Sequence, residues 1–174
     1  GEDGGKTARG AEQLQAAISN VQKRGASVQM CSATRDSDRE RLLARVQQHG
    51  YALEHASAEL RADREVVLAA VQQNGFALED ASAELQADRE VVLAAVQRSG
   101  FALGYASAVL KADREVVLAA VQWGMDGYAL EHASAELRAD QEFVLAAVQQ
   151  DGVALRYASA ELQADREVVL AAVQ

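Results

Sequence analysis

The stretch Asp63–Gln72, DREVVLAAVQ, decides the architecture of this chain because it recurs at regular intervals. Three copies are unchanged and two are looser: Asp88–Gln97, Asp113–Gln122 and Asp165–Gln174, then Asp38–Gln47 and Asp140–Gln149. The glycines near the copies keep the period, with spacings of 25, 25, 25, 27 and 25 residues: Gly25, Gly50, Gly75, Gly100, Gly127 and Gly152. Self-similarity at a short fixed period predicts a repeat array, in which each unit packs against its neighbours in sequence.

Within one unit, this stretch has the features of an α-helix with marked ends. Asp63 is a predicted N-cap, because its carboxylate can accept hydrogen bonds from the free amides of the first turn. The run Val66–Val71 is apolar on all sides, which is typical of a helix covered by its neighbours. Gly75 lies where a helix C′ glycine is expected, so we predict that it ends the helix.

Each unit is predicted to continue with shorter helical segments. The apolar positions of Phe76–Ala81 have three- and four-residue spacing, which indicates a second helix. Ser82 is placed to cap one more turn, Ala83–Gln86, and this serine recurs in the other units. The period-2 alternation of a strand is absent from the sequence. The predicted fold is therefore all-α: an α-solenoid of tandem 25-residue helical-hairpin repeats.

The chain divides by composition into a short tail and the array. Residues 1–12 form a glycine-rich N-terminal tail, and residues 13–174 form the array. Predicted units start near residues 13, 38, 63, 88, 113, 140 and 165, and the last unit is incomplete. The first is a degenerate copy, in which Cys31 takes an alanine position and is expected to be a small buried residue.

The amino-acid composition indicates which residues build the core and which classes of partner are disfavoured. Only 5% of the residues are aromatic, so a core built from Ala, Val and Leu is expected. Residues 1–37 carry a net charge of +1 and residues 38–174 a net charge of −10, and such an acidic array repels nucleic acid and anionic lipid. The longest apolar runs have six residues, as in Val66–Val71, whereas a bilayer span needs about 20. We therefore expect no direct membrane insertion.

The combined signature ADREVVLAAVQxxGxALxxAS, seen at residues 62–82, resembles a family of short tandem repeats known only as a domain of unknown function. The resemblance covers about residues 38–174, and the first unit more loosely. Arrays of this kind are numerous in microalgae and other protists, with some bacterial members. The resemblance implies a helical array, carries no activity and offers no functional residues to transfer. Alanine follows the Ala-Ser pair here, as at Ala83, where family members often have proline or glutamate.

Motifs with chemical meaning each have a simpler structural interpretation. Gly5-Lys6-Thr7 ends like a phosphate-binding loop but has neither the first glycine nor a preceding strand. His55 and His132 occupy the same position three units apart, which is too far to share a metal ion. The repeated Asp-Arg-Glu triplets suit N-capping and ion pairing between units, because acid–base catalysis needs two carboxylates in different environments. We therefore predict no catalytic residues, no metal and no cofactor.

One irregular region is the best sequence-based candidate for a binding surface. A two-residue insertion gives Trp123-Gly124-Met125-Asp126-Gly127 where other units have three residues. The units around it also differ: Gly104 and Val109 replace glutamates, and Phe143 replaces a valine. The predicted partner-binding residues are listed as Trp123, Met125, Tyr105, Val109 and Phe143. The alternative is that the insertion widens one layer and Phe143 fills the gap.

The last helix is predicted to expose a second apolar surface. Val169, Leu170 and Val173 are as apolar as their counterparts in interior units, so we expect more chain or a partner to cover them. Together these features predict a non-catalytic scaffold or accessory subunit that binds other proteins in a larger assembly. The resemblance to microalgal arrays suggests an accessory subunit of a plastid or photosynthetic complex, in the chloroplast and peripheral to a membrane complex. Two alternatives stay open: the repeat region of a longer enzyme or effector, and a free peptide-binding adaptor.

Overall fold

The structure, a computed structural model, describes residues 36–124 and 127–173. All regular secondary structure in these two ranges is helical, which confirms the all-α prediction. The α-helices are α1 (36–48), α2 (Ala58–Arg61), α3 (Arg64–Gln73), α4 (Ala83–Gln86), α5 (Arg89–Arg98), α6 (Ala108–Lys111), α7 (Arg114–Trp123), α8 (Ala135–Arg138), α9 (Gln141–Gln150), α10 (Ala160–Gln163) and α11 (Arg166–Ala172). The 3-10 helices are η1 (Gly50–His55), η2 (Gly75–Asp80), η3 (Gly100–Tyr105), η4 (Tyr128–His132) and η5 (Gly152–Tyr157).

The chain falls into two compact units, residues 1–41 and 42–174. Of the first unit, the structure describes residues 36–41, which are helical and include an ion pair of 3.8 Å between Arg41 Nη1 and Asp38 Oδ1. The predicted tail and the degenerate first repeat, with Cys31, lie outside the described residues. The second unit contains the regular array.

The array is a solenoid with two parallel stacks of helices. The long helices α3, α5, α7, α9 and α11 contact one another in order, and the 3-10 helices η1 to η5 form a second stack beside them. Each 3-10 helix contacts the long helix before it, and the short α-helices pack against the long helices that follow them. Every unit thus buries its apolar positions against its own segments and against the next unit.

The core has the predicted composition, with one exception. Its fully buried positions are Val, Leu and Ala in every unit, together with Phe143. The alanines Ala70, Ala95 and Ala120 are fully buried in successive long helices, where their small side chains allow close packing. Among the described residues, this core is packed with Ala, Val and Leu, and Phe143 is the one aromatic residue in it. The other aromatic residues of the described ranges therefore lie outside the fully buried core.

The repeated aspartates are N-caps, as predicted. Asp63 Oδ1 accepts hydrogen bonds from the amides of Glu65 and Val66 at 3.0 and 3.2 Å. The same two bonds recur at Asp88, and capping aspartates begin the other long helices. These caps satisfy amides that a helix leaves without internal partners.

The structure corrects the role predicted for the repeat glycines. The long helices end at residues with extended backbone, such as Asn74 and Ser99, and the only described glycine with a positive φ is Gly127 at 61°. Gly75 instead lies against the next unit: a Cβ added there would be 2.5 Å from the carbonyl oxygen of Ala95. The glycines are therefore needed because the units approach closely, and not because they end the helix in a left-handed turn.

The structure also corrects the type of helix predicted for the second segment of each unit. The helix predicted over Phe76–Ala81 is the 3-10 helix η2, whereas the final turn Ala83–Gln86 is α-helical as predicted. The amide of Ser82 donates a hydrogen bond of 2.9 Å to the carbonyl oxygen of Arg61 in the preceding unit. Equivalent bonds start at Ser107, Ser134 and Ser159, so the serine position joins successive units as well as starting a turn.

Candidate protein-binding surface

A continuous row of aromatic rings runs along the stack of 3-10 helices. The centroids of Phe76 and Phe101 are 6.4 Å apart, and those of Phe101 and Tyr128 are 4.9 Å apart. Further ring contacts of 5.4 to 6.4 Å complete the row. We call this row the aromatic ridge, and its members are Phe76, Phe101, Tyr105, Tyr128, His132 and Tyr157.

The 3-10 helices place the ridge on the outside of the array. In η1, η2 and η3 the residue after the repeat glycine is exposed, while the next two residues, such as Ala77 and Leu78, are buried; in η4 the residue after the glycine is the half-buried Tyr128. Phe76 is 39% exposed and Phe101 37% exposed, although each also contacts neighbouring rings. Tyr51 occupies the same position in the preceding unit and is exposed as well.

Carboxylates accompany the ridge at a fixed spacing. Side chains three residues apart lie above one another in a 3-10 helix, so Glu79 shares an edge of η2 with Phe76. The same spacing pairs Tyr51 with Glu54 and Tyr128 with Glu131, and all three glutamates are exposed. We call these three combinations the aromatic–acid pairs.

The tyrosines of the ridge are held to these carboxylates. Partial burial and a hydrogen bond with the carboxylate of Glu79 raise the pKa of Tyr105. A hydrogen bond with Glu131 raises the pKa of Tyr128. Both phenols therefore remain protonated at neutral pH and donate to carboxylates, which fixes the position of each acid beside its ring.

Crowded negative charge also affects Asp80, the last residue of η2. Partial burial raises its pKa, and the carboxylates of Glu54 and Glu79 raise it further against the opposing influence of Arg61. Around Asp80, where the second and third units meet, the carboxylates therefore outnumber the nearby cations, and the local net charge is negative. A cation from outside would be attracted to it.

Gly104 is explained by the ridge. It replaces the glutamate of other units, and a Cβ there would be 3.2 Å from the imidazole of His132. The ring thus occupies the space above the glycine, while Lys111 Nζ donates a hydrogen bond of 2.7 Å to the Gly104 carbonyl oxygen. Burial and the nearby Lys111 charge lower the pKa of His132, so it is neutral at pH 7.

The Asp-Arg-Glu triplets form a separate ladder at the opposite ends of the long helices. Arg64 Nε lies 3.0 Å from Asp88 Oδ2, and the same guanidinium also pairs with Glu90. Arg89 repeats this arrangement with the next unit, and Arg114 Nη1 lies 2.7 Å from Asp140 Oδ2. We call this series the arginine ladder. Its sites are near-identical copies that join neighbouring units, which is a structural arrangement and not an acid–base pair.

The ladder changes at the sixth predicted unit. Gln141 replaces the arginine, and its Nε2 lies 3.4 Å from Glu167 Oε2. The neutral amide cannot form the ion pairs that the arginines make with the neighbouring carboxylates. The last unit of the array is therefore held less tightly at this edge.

The predicted partner-binding residues do not form one patch. Tyr105 belongs to the ridge, and Val109 is 79% exposed on the short helix α6. Trp123 is 56% exposed at the end of α7, and the next residue, Gly124, lies against Gly100 beside the ridge. Within the described ranges, no ring contact joins Trp123 to Tyr105. Met125 lies outside the described residues.

Phe143 is a core residue and not part of an exposed surface. Its side chain is fully buried, and the guanidinium carbon of Arg114 lies 5.4 Å from its ring centroid. Its burial agrees with the part of the alternative interpretation that makes Phe143 a packing residue. The exposed candidates are therefore Val109 and Trp123, and Tyr105 is partly buried against the core.

The apolar surface predicted at the last helix is exposed in the structure. Val173 is 74% exposed, whereas Val71, its counterpart in an interior unit, is fully buried. Leu170 is half exposed and Val169 is partly buried. An open groove of about 360 Å³ adjoins this surface and is lined by Leu155 and Val173, among others. What covers this surface stays a prediction.

No other kind of site emerges from the described residues. Residues 36–124 and 127–173 contain no group of three His, Cys, Asp or Glu side chains that could hold a metal ion. In the same ranges, no helix is long and apolar enough to cross a membrane. The aromatic ridge with its acid pairs and the apolar surface at the last helix are therefore the two candidate surfaces in the described ranges.

The aromatic ridge was missed by sequence analysis, although a signal was present. An aromatic residue directly follows the repeat glycine in four consecutive units, at Tyr51, Phe76, Phe101 and Tyr128. Aligning the units by their glycines would have shown it. The unusual insertion drew attention instead, because it contains the only tryptophan of the chain.

The sequence matches the model of one protein family in tandem. The family is described as a domain of unknown function (DUF4116), and its matches cover residues 38–86, 88–138, 124–163 and 140–174. No curated protein matches the chain. No solved structure matches it either.

Proposed function

Because this chain belongs to the DUF4116 family of helical repeats, for which no activity is described, we propose a function from its geometry: it is a non-catalytic scaffold that binds other proteins through the aromatic ridge. One observation carries this proposal. Of the eight aromatic residues, five lie in the ridge and a sixth, Tyr51, continues it, whereas Phe143 alone is fully buried in the core.

Aromatic rings that are exposed together at a surface leave apolar area in contact with water, and such area is often part of a binding site. Contiguous apolar surface promotes association, and aromatic residues are favoured at the centres of protein interfaces. The neighbouring interior positions show that Ala, Val and Leu suffice for packing in this fold. A row of rings outside that core is therefore best explained by a binding role.

The competing explanation is that the ridge only stabilises the stack. A ring pair contributes about 0.5–1.5 kcal/mol beyond its buried area, so the contacts between units do stabilise the array. Rings that are fully buried between the units would stabilise the stack equally well. Phe76 and Phe101 each keep more than a third of their surface exposed, and this exposed part contributes nothing to the stack.

Affinity capture with matched variants tests the proposal. The immobilised chain, a ridge variant (Phe76→Ser, Phe101→Ser and Tyr128→Ser) and the Trp123→Ala variant are each incubated with extract of the source cells. We expect a protein retained in stoichiometric amount by the wild type and by Trp123→Ala, and at least tenfold less on the folded ridge variant. Equal retention by the ridge variant would refute the ridge as the binding surface.

The setting of the scaffold is part of the proposal. Arrays with this signature are numerous in microalgae, which supports an accessory role in a plastid assembly such as a photosynthetic complex at a membrane surface. Sedimentation of plastid lysates checks it: the chain should migrate with a large complex and move to its free position when the ridge is substituted. Migration only as the free chain would exclude this setting.

A further inference from the structure

The aromatic–acid pairs also indicate what kind of partner the ridge takes. Each pair places a ring and an exposed carboxylate on the same edge of a 3-10 helix, at Tyr51 and Glu54, Phe76 and Glu79, and Tyr128 and Glu131; the first two rings are exposed and that of Tyr128 is half-buried. An arginine side chain satisfies both groups at once. Its guanidinium stacks on the ring face and its N–H groups donate to the carboxylate.

Spacing along the ridge fits a peptide with regularly placed basic residues. Successive ring centroids are 6.4 Å apart from Phe76 to Phe101, and 4.9 Å apart from Phe101 to Tyr128. Alternate side chains of an extended peptide are about 6.6–6.8 Å apart on one face. The 6.4 Å step is close to this spacing, so basic residues of an extended peptide can follow the ridge, while the unit of Phe101 offers a ring without a carboxylate because Gly104 replaces its glutamate.

The charge pattern along the ridge limits the bound segment. Its first part holds Glu54, Glu79 and Asp80 close together, whereas its far end holds Arg156, whose guanidinium carbon lies 5.9 Å from the Tyr157 ring centroid. That end already has its own cation on an aromatic face. A basic partner is thus attracted most strongly around Glu54, Glu79 and Asp80, whereas Lys111 beside Gly104 weakens the attraction farther along and Arg156 opposes it at the far end.

Resting on the proposed scaffold function, we propose that the ridge from Tyr51 to Tyr128 binds a peptide segment with basic side chains at alternate positions. Nucleic acid and anionic membranes are excluded by the same carboxylates that attract the basic segment. The array therefore selects its partner by charge as well as by apolar contact.

Fluorescence anisotropy with labelled ten-residue peptides tests this inference on the full chain. The probes are an alternating Arg-Ser peptide, an alternating Glu-Ser peptide and an alternating Leu-Ser peptide. We expect saturable binding of the Arg-Ser peptide, at least tenfold tighter than that of the Glu-Ser peptide, and weaker binding as salt rises. Equal affinity for the Arg-Ser and Glu-Ser peptides would overturn the inference.

Matched variants separate specific contacts from general attraction to an acidic protein. The double variant Glu79→Gln with Asp80→Asn removes two carboxylates at the ridge, and Glu115→Gln with Glu142→Gln removes two on the arginine ladder. Ten-residue helices place the ladder about 15 Å from the ridge. We expect at least a fivefold loss of affinity for the first variant and less than twofold for the second. Equal losses would show unspecific attraction and contradict the proposal.

Ring substitutions complete the test. Phe76→Leu with Phe101→Leu keeps apolar bulk but removes the ring faces, so we expect a further loss of about threefold for each ring. Circular dichroism and urea unfolding confirm that every variant is folded. If the Leu-Ser peptide binds and the Arg-Ser peptide does not, the basic partner is refuted while the scaffold function stands. If no peptide binds and affinity capture also fails at the ridge, both are refuted.

Discussion

At the scale of single residues, the repeat glycines are determined by contacts between units. A Cβ at Gly75 would meet the carbonyl oxygen of Ala95 at 2.5 Å, a distance that requires the backbone to shift. A Cβ at Gly104 would meet only the His132 imidazole, at 3.2 Å, and a side chain can rotate away. A side chain is therefore excluded by backbone at Gly75, whereas only a movable side chain lies in the way at Gly104.

This difference gives a paired prediction. Gly75→Ala should lower the free energy of unfolding by about 1–3 kcal/mol, because the added methyl group overpacks a close contact between units. Gly104→Ala should change it by less than about 0.5 kcal/mol in either direction. Urea unfolding followed by circular dichroism measures both. Similar losses in the two variants would show that Gly75 is not a special contact.

The carboxylate of a capping aspartate such as Asp88 both caps its own helix and pairs with an arginine of the preceding unit. Partial burial alone would raise the pKa of Asp88, but the hydrogen bonds from Arg64 and from the amides of Val91 and Glu90 lower it below its usual value. Since the folded-state pKa is lower than the unfolded one, this stabilisation is complete above about pH 4. It is lost as the pH falls through the folded-state pKa.

Substitution at Asp88 should divide the two roles. Asp88→Ala removes the caps at 2.9 and 3.1 Å and the ion pair, so we expect a loss of about 1–2 kcal/mol at pH 7. Asp88→Asn keeps the cap and should lose less. Urea unfolding at pH 7 and pH 3 measures both, and the difference between the two pH values should shrink in each variant. An unchanged pH difference would contradict the assigned role of the carboxylate.

At the scale of helices, the arginine ladder explains how one unit is held to the next. Each guanidinium reaches the cap and the following glutamate of the neighbouring long helix, except at Gln141. These pairs are exposed, so each contributes at most about 1 kcal/mol. Their value lies in fixing the register between units.

Restoring the ladder should therefore stabilise the end of the array. Gln141→Arg places a guanidinium where it can pair with Asp165 and Glu167, as Arg64 does with Asp88 and Glu90. We expect α11 to gain about 0.2–1 kcal/mol, measured by slower hydrogen exchange of its amides. Gln141→Lys serves as the control, since it adds the charge without the planar fork and should give a smaller gain. No change in exchange would contradict the ladder.

At the scale of the whole molecule, repetition made the fold predictable while it concealed the aromatic ridge. The period, the capping aspartates and the Ala-Val-Leu core follow directly from the sequence, because each unit repeats the same local pattern. The role of Gly75 could not be read in this way, since its contact with Ala95 depends on how units stack. The ridge is similar: its rings are about 25 residues apart in sequence and adjacent only after stacking.

If partners bind along the aromatic ridge, site-specific photo-crosslinking should join them to the chain there. A benzophenone amino acid replaces Phe101 on the ridge in one variant and Glu115 on the arginine ladder in another. Each variant is irradiated in the presence of the captured partner. The account predicts strong crosslinking from position 101 and little from position 115. Crosslinking from position 115 alone, or from neither position, would contradict it.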